Sequence, residues 1–310
     1  MRPLSAADRR ELADASGDET MSSNVLGVRI SAVNLQSATA RIIAAVDQWR
    51  AGYVCVRDAH GVMRCQDDAD LRAIHNQAFM VTPDGMPLVW LARHDGYTSV
   101  GRVYGPDLML SVFAAGEGRG LRHYLYGATQ PTIDALTARL TARFPRAQIA
   151  GAFAPPFRPL TVDEEIAVAR RINEAEADIV WVGLSTPRQE QWMGGMRARL
   201  HAPLLIGVGA AFDFHAGIKR QAPRFIQRSG FEWAFRLLME PRRLARRYAM
   251  VIPRFMALTA LQRLNLRQFP ISETPRSMRR TEAPRDGADP TRSGGAFGVP
   301  SGPASGEFGT

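Results

Sequence analysis

Asp84 is the first candidate for chemistry in this sequence, because of both its type and its neighbours. It follows the short apolar run 79–82 and stands between Pro83 and Gly85, a combination typical of a stiff turn. A carboxylate held on such a turn can take a proton from a hydroxyl group. An alternative is that Asp84 caps a helix beginning near Met86, and the spacing alone leaves both roles open.

Polar or glycine-rich residues also follow other apolar runs. The runs with such residues behind them are 53–56, 79–82, 123–127, 178–184 and 203–209. In parallel α/β sheets, ligands bind beyond the carboxyl ends of the strands. We therefore expect one crevice lined by these residues, among them Asp58, Thr82 and Thr186.

The stretch Thr186-Pro187-Arg188-Gln189 predicts a helix start with proline at the first helical position. A helix N-terminus attracts anions through its free N–H groups, and Arg188 and Gln189 would lie beside it. The alternative is an ordinary capped helix without a ligand.

Gly207 and Gly209 match the first two glycines of a dinucleotide fingerprint, but Phe212 stands at the third position. This lone, imperfect match is weak, and an NAD-dependent oxidoreductase is the least favoured function class. A turn whose backbone N–H groups approach a nucleotide diphosphate stays open.

No metal site or cofactor site is expected. The six histidines are scattered, and no His-x-x-x-His or Asp-x-Asp pair occurs. The charge of a diphosphate would then need arginines or helix N-termini. Arg220, Arg224 and Arg228 recur at four-residue spacing after the 209–217 loop and can share a helical face. The alternative is that they are solvated surface residues.

Arginine supplies almost all of the positive charge. Lys219 is the single lysine among 39 basic residues, and the formal net charge is +9. Between 236 and 254, arginines including Arg242 and Arg243 surround an apolar stripe. A basic amphipathic helix of this kind suits an anionic membrane surface. The alternative is a solvated face packed on the domain, and no nucleic-acid motif is recognised.

Composition excludes several classes of protein. Hydrophobic residues make up 45% and charged residues 22% of the 310 residues, which is typical of a globular protein. Cys55 and Cys65 are too few for a disulfide framework, so a reducing, cytoplasmic compartment is expected. No run of about 20 apolar residues occurs that would span a bilayer, and the N-terminus lacks the apolar core of a secretory signal.

From Asn24 onward, apolar runs alternate with stretches of helical periodicity. The alternation predicts an α/β fold with a mainly parallel sheet and helices on both faces. One strand is expected over 25–31, and one helical stretch from His60 to Gln77. The expected divisions are a flexible N-terminus (1–23), the α/β core (24–235), a basic helical appendage (236–269) and a disordered tail (270–310).

Five segments occur in an order that resembles the WecG/TagA/CpsF family of bacterial glycosyltransferases. They are VTPDGMPLVWLAR (81–93), RVYGPDLML (102–110), WVGLSTPRQEQWM (181–193), GVGAAFDFHAG (207–217) and APRFIQRSGFEWAFRLLMEPRRLARRY (222–248). The resemblance covers roughly residues 25–250. The ordered set is far more specific than any single motif.

The resemblance implies transfer of a sugar from a UDP-sugar to a polyprenyl-diphosphate-linked acceptor, in exopolysaccharide or cell-surface glycan synthesis. It also implies an inverting, metal-independent reaction, a Rossmann-like core and a C-terminal appendage that docks on the inner face of the plasma membrane. Asp84 would be the catalytic base and Gln189 an active-site residue. Asp213 would contact uridine or ribose, and some C-terminal arginines would meet the leaving diphosphate.

One segment departs from the family pattern. Many members carry a Thr-x-Asn segment after the second strand, where this chain has Val56-Arg57-Asp58. An aspartate replaces a donor–acceptor amide by an acceptor-only carboxylate and adds negative charge near a UDP-sugar. The departure motivates an alternative: a non-catalytic, membrane-recruited nucleotide-binding regulatory protein. The oligomeric state stays open, with a homo-oligomer among the options.

Overall fold

A computed structural model describes residues 21–219, 221–223, 226, 232–239 and 241–274, without the side chains of residues 232, 236 and 243. The strands in this part of the chain are β1 Ser22–Val25, β2 Val28–Ser31, β3 Gly52–Arg57, β4 Met80–Pro83, β5 Arg122–Gly127, β6 Gln148–Phe153, β7 Ile179–Gly183 and β8 Leu204–Gly207. The helices are α1 Leu35–Asp47, α2 Ala59–Asp67, α3 Ala69–Asn76, α4 Met86–His94, α5 Gly105–Gly116, α6 Gln130–Arg143, α7 Val162–Glu174, α8 Arg188–Met196, α9 Ala211–His215, α10 Glu232–Met239 and α11 Pro241–Arg263. A short 3-10 turn, Arg197–Arg199, follows α8.

The central feature is a six-stranded sheet in the order β4-β3-β8-β7-β5-β6. Every pair of neighbouring strands in it is parallel. The prediction of an α/β fold with a parallel sheet is confirmed. The order places the carboxyl ends of β4, β3, β8 and β7 side by side.

Side chains pack on both faces of this sheet, as the continuous apolar runs predicted. Along β7, Ile179 and Trp181 join one buried cluster with α1, α5 and α6. Val180 and Val182 alternate with them and join a second cluster, with α2, α7 and α8. The sheet is therefore the middle layer of three.

The single strand expected over 25–31 is wrong. The segment forms an antiparallel hairpin, β1 and β2, in which Val25 pairs with Val28. The two turn residues, Leu26 and Gly27, have φ of 53° and 77°. Positive φ at both positions is the requirement of the tight turns that join twisted antiparallel strands. Leucine is rarely found there, which is why the sequence did not indicate a turn.

The helical stretch expected from His60 to Gln77 is two helices. Asp68 ends α2 with φ −132° and ψ 107°, and its Oδ1 accepts from the backbone N–H groups of Asp70 and Leu71 at the start of α3. An aspartate that bonds to nearby backbone groups competes with a continuous helix.

The basic helix α11 packs on the core by part of its surface. Leu244 and Phe255 are buried, and Arg254 pairs with Asp67 of α2 at 2.6 Å. Near its C-terminal end, Gln262 accepts from Leu26 N at 3.0 Å and donates to Asn24 O at 3.0 Å. The appendage expected from residue 236 is therefore in contact with the core along much of its length.

The chain after α11 also contacts the core. Asn24 Nδ2 donates to Phe269 O at 2.8 Å, and Asn76 Nδ2 donates to Ser272 O at 3.0 Å. Residues 270–274 were expected to open a disordered tail, and they are held by such bonds. Residues 1–20 and 275–310 lie outside the described residues. Among the described helices, none has both the length and the apolar content to cross a membrane.

Candidate active site

The carboxyl edge of the sheet collects several of the residues that the sequence singled out. β3 ends at Arg57, β4 at Pro83, β7 at Gly183 and β8 at Gly207. Since these four strands are neighbours in the sheet, the loops that follow them meet at one edge.

Asp84 lies directly after β4 and is held on two sides. Its backbone N–H donates to Arg57 O at 2.7 Å. Its carboxylate Oδ1 accepts from Arg102 Nη2 at 3.2 Å, and Arg102 Nε donates to Asp84 O. Both side chains are about four-fifths buried, with exposed fractions of 17% for Arg102 and 23% for Asp84. The carboxylate is thus oriented by a cation while part of it faces solvent.

The alternative role for Asp84, as the cap of helix α4, is wrong. The N-cap residue of α4 is Gly85, and no side chain caps this helix end. The Asp84 carboxylate contacts Arg102 instead. Asp84 is therefore a partly exposed carboxylate at the tip of β4 that is held by an arginine and not by a helix end.

Arg102 was not predicted as a site residue. It precedes α5 and comes from a loop, not from the end of a strand, so the strand-end rule did not select it. Its guanidinium also lies over the ring of Tyr104, with 4.4 Å between the guanidinium carbon and the ring centroid. The signal that was available is its position at the start of the segment 102–110, one of the five family segments.

Asp58 lies at the neighbouring tip, after β3. Its Oδ1 accepts from Gly61 N at 2.8 Å and so caps α2. A Cβ built on Gly85 would lie 3.6 Å from Asp58 Cβ, so the two positions are adjacent. Asp58 is exposed, and it brings a second carboxylate close to the backbone of the Asp84 turn.

His60 connects this edge with the basic helix. Its pKa is lowered, first by burial. The positive charge of Arg247, on α11, lowers it further, while Asp58 acts in the opposite direction. Arg247 is therefore close enough to His60 to affect its pKa.

Thr82 occupies a different environment from the other candidates. It is fully buried within β4. Its hydroxyl has no hydrogen-bond partner among the described residues. The structure therefore places Thr82 beneath Asp84 instead of on the open surface of the edge.

Gln189 and Gly209 join the loops after β7 and β8. Gln189 is buried. Its Oε1 accepts from Gly209 N at 3.0 Å, and its Nε2 donates to Glu190 Oε1 at 2.6 Å. Gly209 has φ of 53°, a conformation that glycine adopts without strain. Both ends of the Gln189 amide are therefore engaged inside the protein.

Gly207 leaves room for that amide. A Cβ built on Gly207 would lie 2.7 Å from Met193 Cε and 3.2 Å from Gln189 Cδ. The glycine pair 207 and 209 is thus explained by contact with α8. The helix itself begins one residue later than predicted, because Pro187 is its N-cap and not its first helical residue.

Arg57 and Glu190 form a buried ion pair that sequence analysis missed. The pair joins Arg57 Nη2 to Glu190 Oε1, and the two side chains are 3% and 0% exposed. Arg57 Nη2 also donates to Thr186 Oγ1 at 3.2 Å. Burial opposes the charged form of Arg57, but the Glu190 carboxylate raises its pKa above the usual value. Only tertiary structure brings these residues together, since 133 positions separate them.

The remaining predicted residues are more exposed. Asp213, on α9, pairs with Lys219 at 2.6 Å, and Arg188 and Arg242 are exposed at the starts of α8 and α11. Arg220 and the side chain of Arg243 lie outside the described residues. In the described residues, no three histidine, cysteine, aspartate or glutamate side chains form a group that could hold a metal ion.

Comparison with known proteins adds a family and two relatives. A model of the glycosyl transferase WecG/TagA/CpsF family matches residues 23–269. An N-acetylglucosaminyldiphosphoundecaprenol N-acetyl-beta-D-mannosaminyltransferase from Bacillus subtilis (strain 168) is 28% identical over 195 residues, 63% of this chain and 73% of the relative. An enzyme of the same description from Bacillus spizizenii is 27% identical over 210 residues, 68% of this chain and 79% of the relative.

Proposed function

Because the chain belongs to the WecG/TagA/CpsF family of glycosyl transferases, we propose that it transfers a sugar from a UDP-sugar to a polyprenyl-diphosphate-linked acceptor. That it is a glycosyltransferase follows from the family and from the names of its relatives. Those names describe transfer of an N-acetylmannosaminyl group to a lipid-linked diphosphate sugar. For this chain, an N-acetylmannosaminyl or related hexosyl donor is the proposal, within exopolysaccharide or cell-surface glycan synthesis.

The observation that carries the proposal is the position of Asp84. Its carboxylate stands at the tip of β4, is oriented by Arg102 and is partly open to solvent. In our proposal Asp84 takes the proton from the acceptor hydroxyl while that oxygen attacks the anomeric carbon. The bond to the UDP oxygen breaks on the opposite side of the sugar, so the configuration at the anomeric carbon inverts.

The leaving UDP gains negative charge as this bond breaks. Fixed cations and free helix N–H groups, aimed at the place where charge develops, lower the barrier. The start of α8, with Arg188, follows β7 at this edge, and in our proposal it acts together with arginines of the basic helix such as Arg242 and Arg247. We therefore propose a reaction that needs no divalent ion.

We also propose that the enzyme works as a peripheral protein on the inner face of the plasma membrane. Two apolar side chains of α10 are strongly exposed, Leu238 at 80% and Met239 at 64%. They are followed directly by the arginines of α11, including the exposed Arg242 and Arg246. Apolar side chains beside cations are the combination that binds an anionic lipid surface.

The alternative of a non-catalytic regulatory protein is not retained, since the family membership makes the chain a glycosyltransferase. The aspartate that motivated it has a structural role here, because Asp58 caps α2. A dinucleotide-dependent reaction has no support either. Gly209 N, which would have to approach a diphosphate, donates to Gln189.

The test is transfer by the full-length protein in anionic vesicles that contain a polyprenyl-diphosphate-linked N-acetylglucosamine acceptor. A series of labelled UDP-sugars identifies the donor. Asp84→Asn should lower kcat by about 100-fold or more, within the range for loss of a general base. EDTA should leave the rate unchanged, and NMR of the product should show inversion.

Asp95→Asn is a matched control on α4's far end, where the carboxylate pairs with Arg263 instead of facing the site edge. It should retain nearly the rate of the unmodified protein. Transfer by Asp84→Asn at that same rate would contradict the assignment of the base. Loss of transfer on removal of divalent ions would contradict the proposed metal independence.

A further inference from the structure

The buried pair of Arg57 and Glu190 lies at the centre of a set of contacts between three loops. Glu190 Oε1 accepts from Arg57 Nη2 and from Gln189 Nε2, the latter at 2.6 Å. Gln189 Oε1 in turn accepts from Gly209 N at 3.0 Å. The side chain of Arg57 therefore connects the tip of β3 with the loops that follow β7 and β8.

The main chain of the same arginine holds the proposed base. Arg57 O accepts from Asp84 N at 2.7 Å, so the turn after β4 is fastened to the residue whose side chain reaches Thr186 and Glu190. Asp84 and the start of α8 are thus connected through one residue. A shift of Arg57 would change the position of one relative to the other.

Stability alone is a poor reason for this arrangement. Removing two charges from water is costly, and apolar residues of similar volume often serve the fold as well as a buried ion pair or better. Two polar atoms of the pair, Arg57 Nε and Glu190 Oε2, are buried without a hydrogen-bond partner among the described residues. Burial of these two charges is therefore unfavourable, and apolar side chains could supply the same packing without it.

The neighbouring sequence makes room for the guanidinium. A Cβ built on Gly61, in the first turn of α2, would lie 2.6 Å from Arg57 Nη1. Gly61 N is also the donor to Asp58. The first turn of α2 therefore leaves space for the Arg57 guanidinium, and the same turn is capped by Asp58, the next residue in the chain.

We propose that Arg57 is a positioning residue, which holds the Thr186–Glu190 loop and the Gly207–Gly209 loop at a fixed distance from Asp84. The inference rests on the proposed function, because it assigns Asp84 and the start of α8 to one reaction. Arg57 need not touch the substrate. It acts through Glu190, Thr186 and the backbone of Asp84.

The experiment separates positioning from stability with a double variant. Arg57→Met leaves the Glu190 charge buried without its partner, so it should lower both Tm and kcat. In Arg57→Met combined with Glu190→Gln, no buried charge is left unpaired, and most of the lost Tm should return. The kcat of this double variant should stay about 10- to 100-fold low, the effect expected of misplaced reacting groups, with little change in the donor KM.

Arg197→Met is the matched control. Arg197 is also partly buried and donates to three carbonyl oxygens, those of Gly52, Leu200 and Pro203. These lie at the opposite, amino-terminal edge of the sheet, where β3 begins. This variant should lose Tm and keep its kcat. Arg57→Lys should recover only part of the activity, since lysine lacks the fork that reaches two acceptors.

Hydrogen exchange gives a readout that needs no turnover. The amides of Gly209 and Asp84 should exchange faster in the double variant than in the unmodified protein, while amides within β7 should not change. Recovery of kcat together with Tm in the double variant would show that the pair serves stability only and would overturn the inference. If the unmodified protein transfers no sugar from any UDP-sugar, the proposed function fails, and unchanged exchange at Gly209 and Asp84 then overturns the positioning role as well.

Discussion

Replacing Arg102 by methionine tests how the proposed base is oriented. Arg102 donates to both the carboxylate and the backbone oxygen of Asp84. The carboxylate contact is a charge-assisted hydrogen bond between side chains that are about four-fifths buried. Methionine keeps most of the aliphatic length and removes the donors and the charge. The variant therefore isolates the orientation of Asp84 from simple loss of volume.

The size of the effect follows from the type of contact. A hydrogen bond to a charged group contributes about 1.5–3 kcal/mol. Since about 1.4 kcal/mol corresponds to a tenfold change, Arg102→Met should lower kcat/KM by about 10- to 150-fold if the contact is needed in the transition state. Arg102→Met should also lower Tm, because the substitution removes the contact between the guanidinium and the ring of Tyr104.

Arg119→Met is the control, since Arg119 pairs with Asp47 at 2.7 Å on the surface, where both side chains are about half exposed. A surface pair of this kind contributes about 0–1 kcal/mol to stability, and its loss should leave transfer unchanged. The decisive assay is initial-rate sugar transfer at fixed acceptor density, with Tm measured for every variant.

A double-mutant cycle with Asp84→Asn decides whether Arg102 acts through Asp84. If it does, Arg102→Met should have less than about a threefold effect in the Asp84→Asn background, because the group that it orients is already disabled. Equal effects of Arg102→Met in both backgrounds would refute the reasoning and would point to a separate contact of Arg102 with substrate.

Two further outcomes are expected from other parts of the structure. The pKa of buried His123 is lowered to about 3 by burial, so between that value and 6.5 the unfolded chain binds a proton that the folded chain does not. The contribution of neutral His123 to the free energy of unfolding should therefore be complete above pH 6.5 and fall by about 1.4 kcal/mol per pH unit below it. In urea unfolding between pH 6.5 and 4.5, the free energy of unfolding of His123→Gln should fall less steeply with pH than that of the unmodified protein. An unchanged slope would argue against a neutral His123. On the proposed membrane face, Leu238→Asp with Met239→Asp should reduce co-sedimentation with anionic vesicles by 10-fold or more, since burying one large apolar side chain contributes about 1.5–3 kcal/mol. The pair Val162→Asp and Ile166→Asp, at apolar positions of α7 that are 66% and 55% exposed, should not reduce it, and equal loss in both would contradict a specific membrane face.

The sequence by itself determined the type of fold and the edge of the sheet at which the candidate residues lie. Continuous apolar runs such as 179–183 are typical of strands that are buried on both faces, and helical stretches between such runs favour parallel pairing. In such a sheet the polar residues after the strands must collect at one edge. Asp84 and the Thr186–Glu190 segment were found in this way, because local sequence position and strand direction are enough to place them.

Only the tertiary structure decided which side chains touch. Arg102 and Asp84 lie on separate loops, and the contact between Arg57 and Glu190 depends on where β3 and α8 lie in the sheet order. Arg57 directly follows the apolar run 53–56 and Arg102 opens the segment 102–110, but these positions do not say which side chain either arginine contacts. The turn at Leu26 was missed because the local sequence argues against it. Leucine has a poor preference for positive φ, and the packing of the hairpin holds it in that conformation. Periodicity reports which face of an element is buried, whereas the partner of a polar group is set by how distant elements pack.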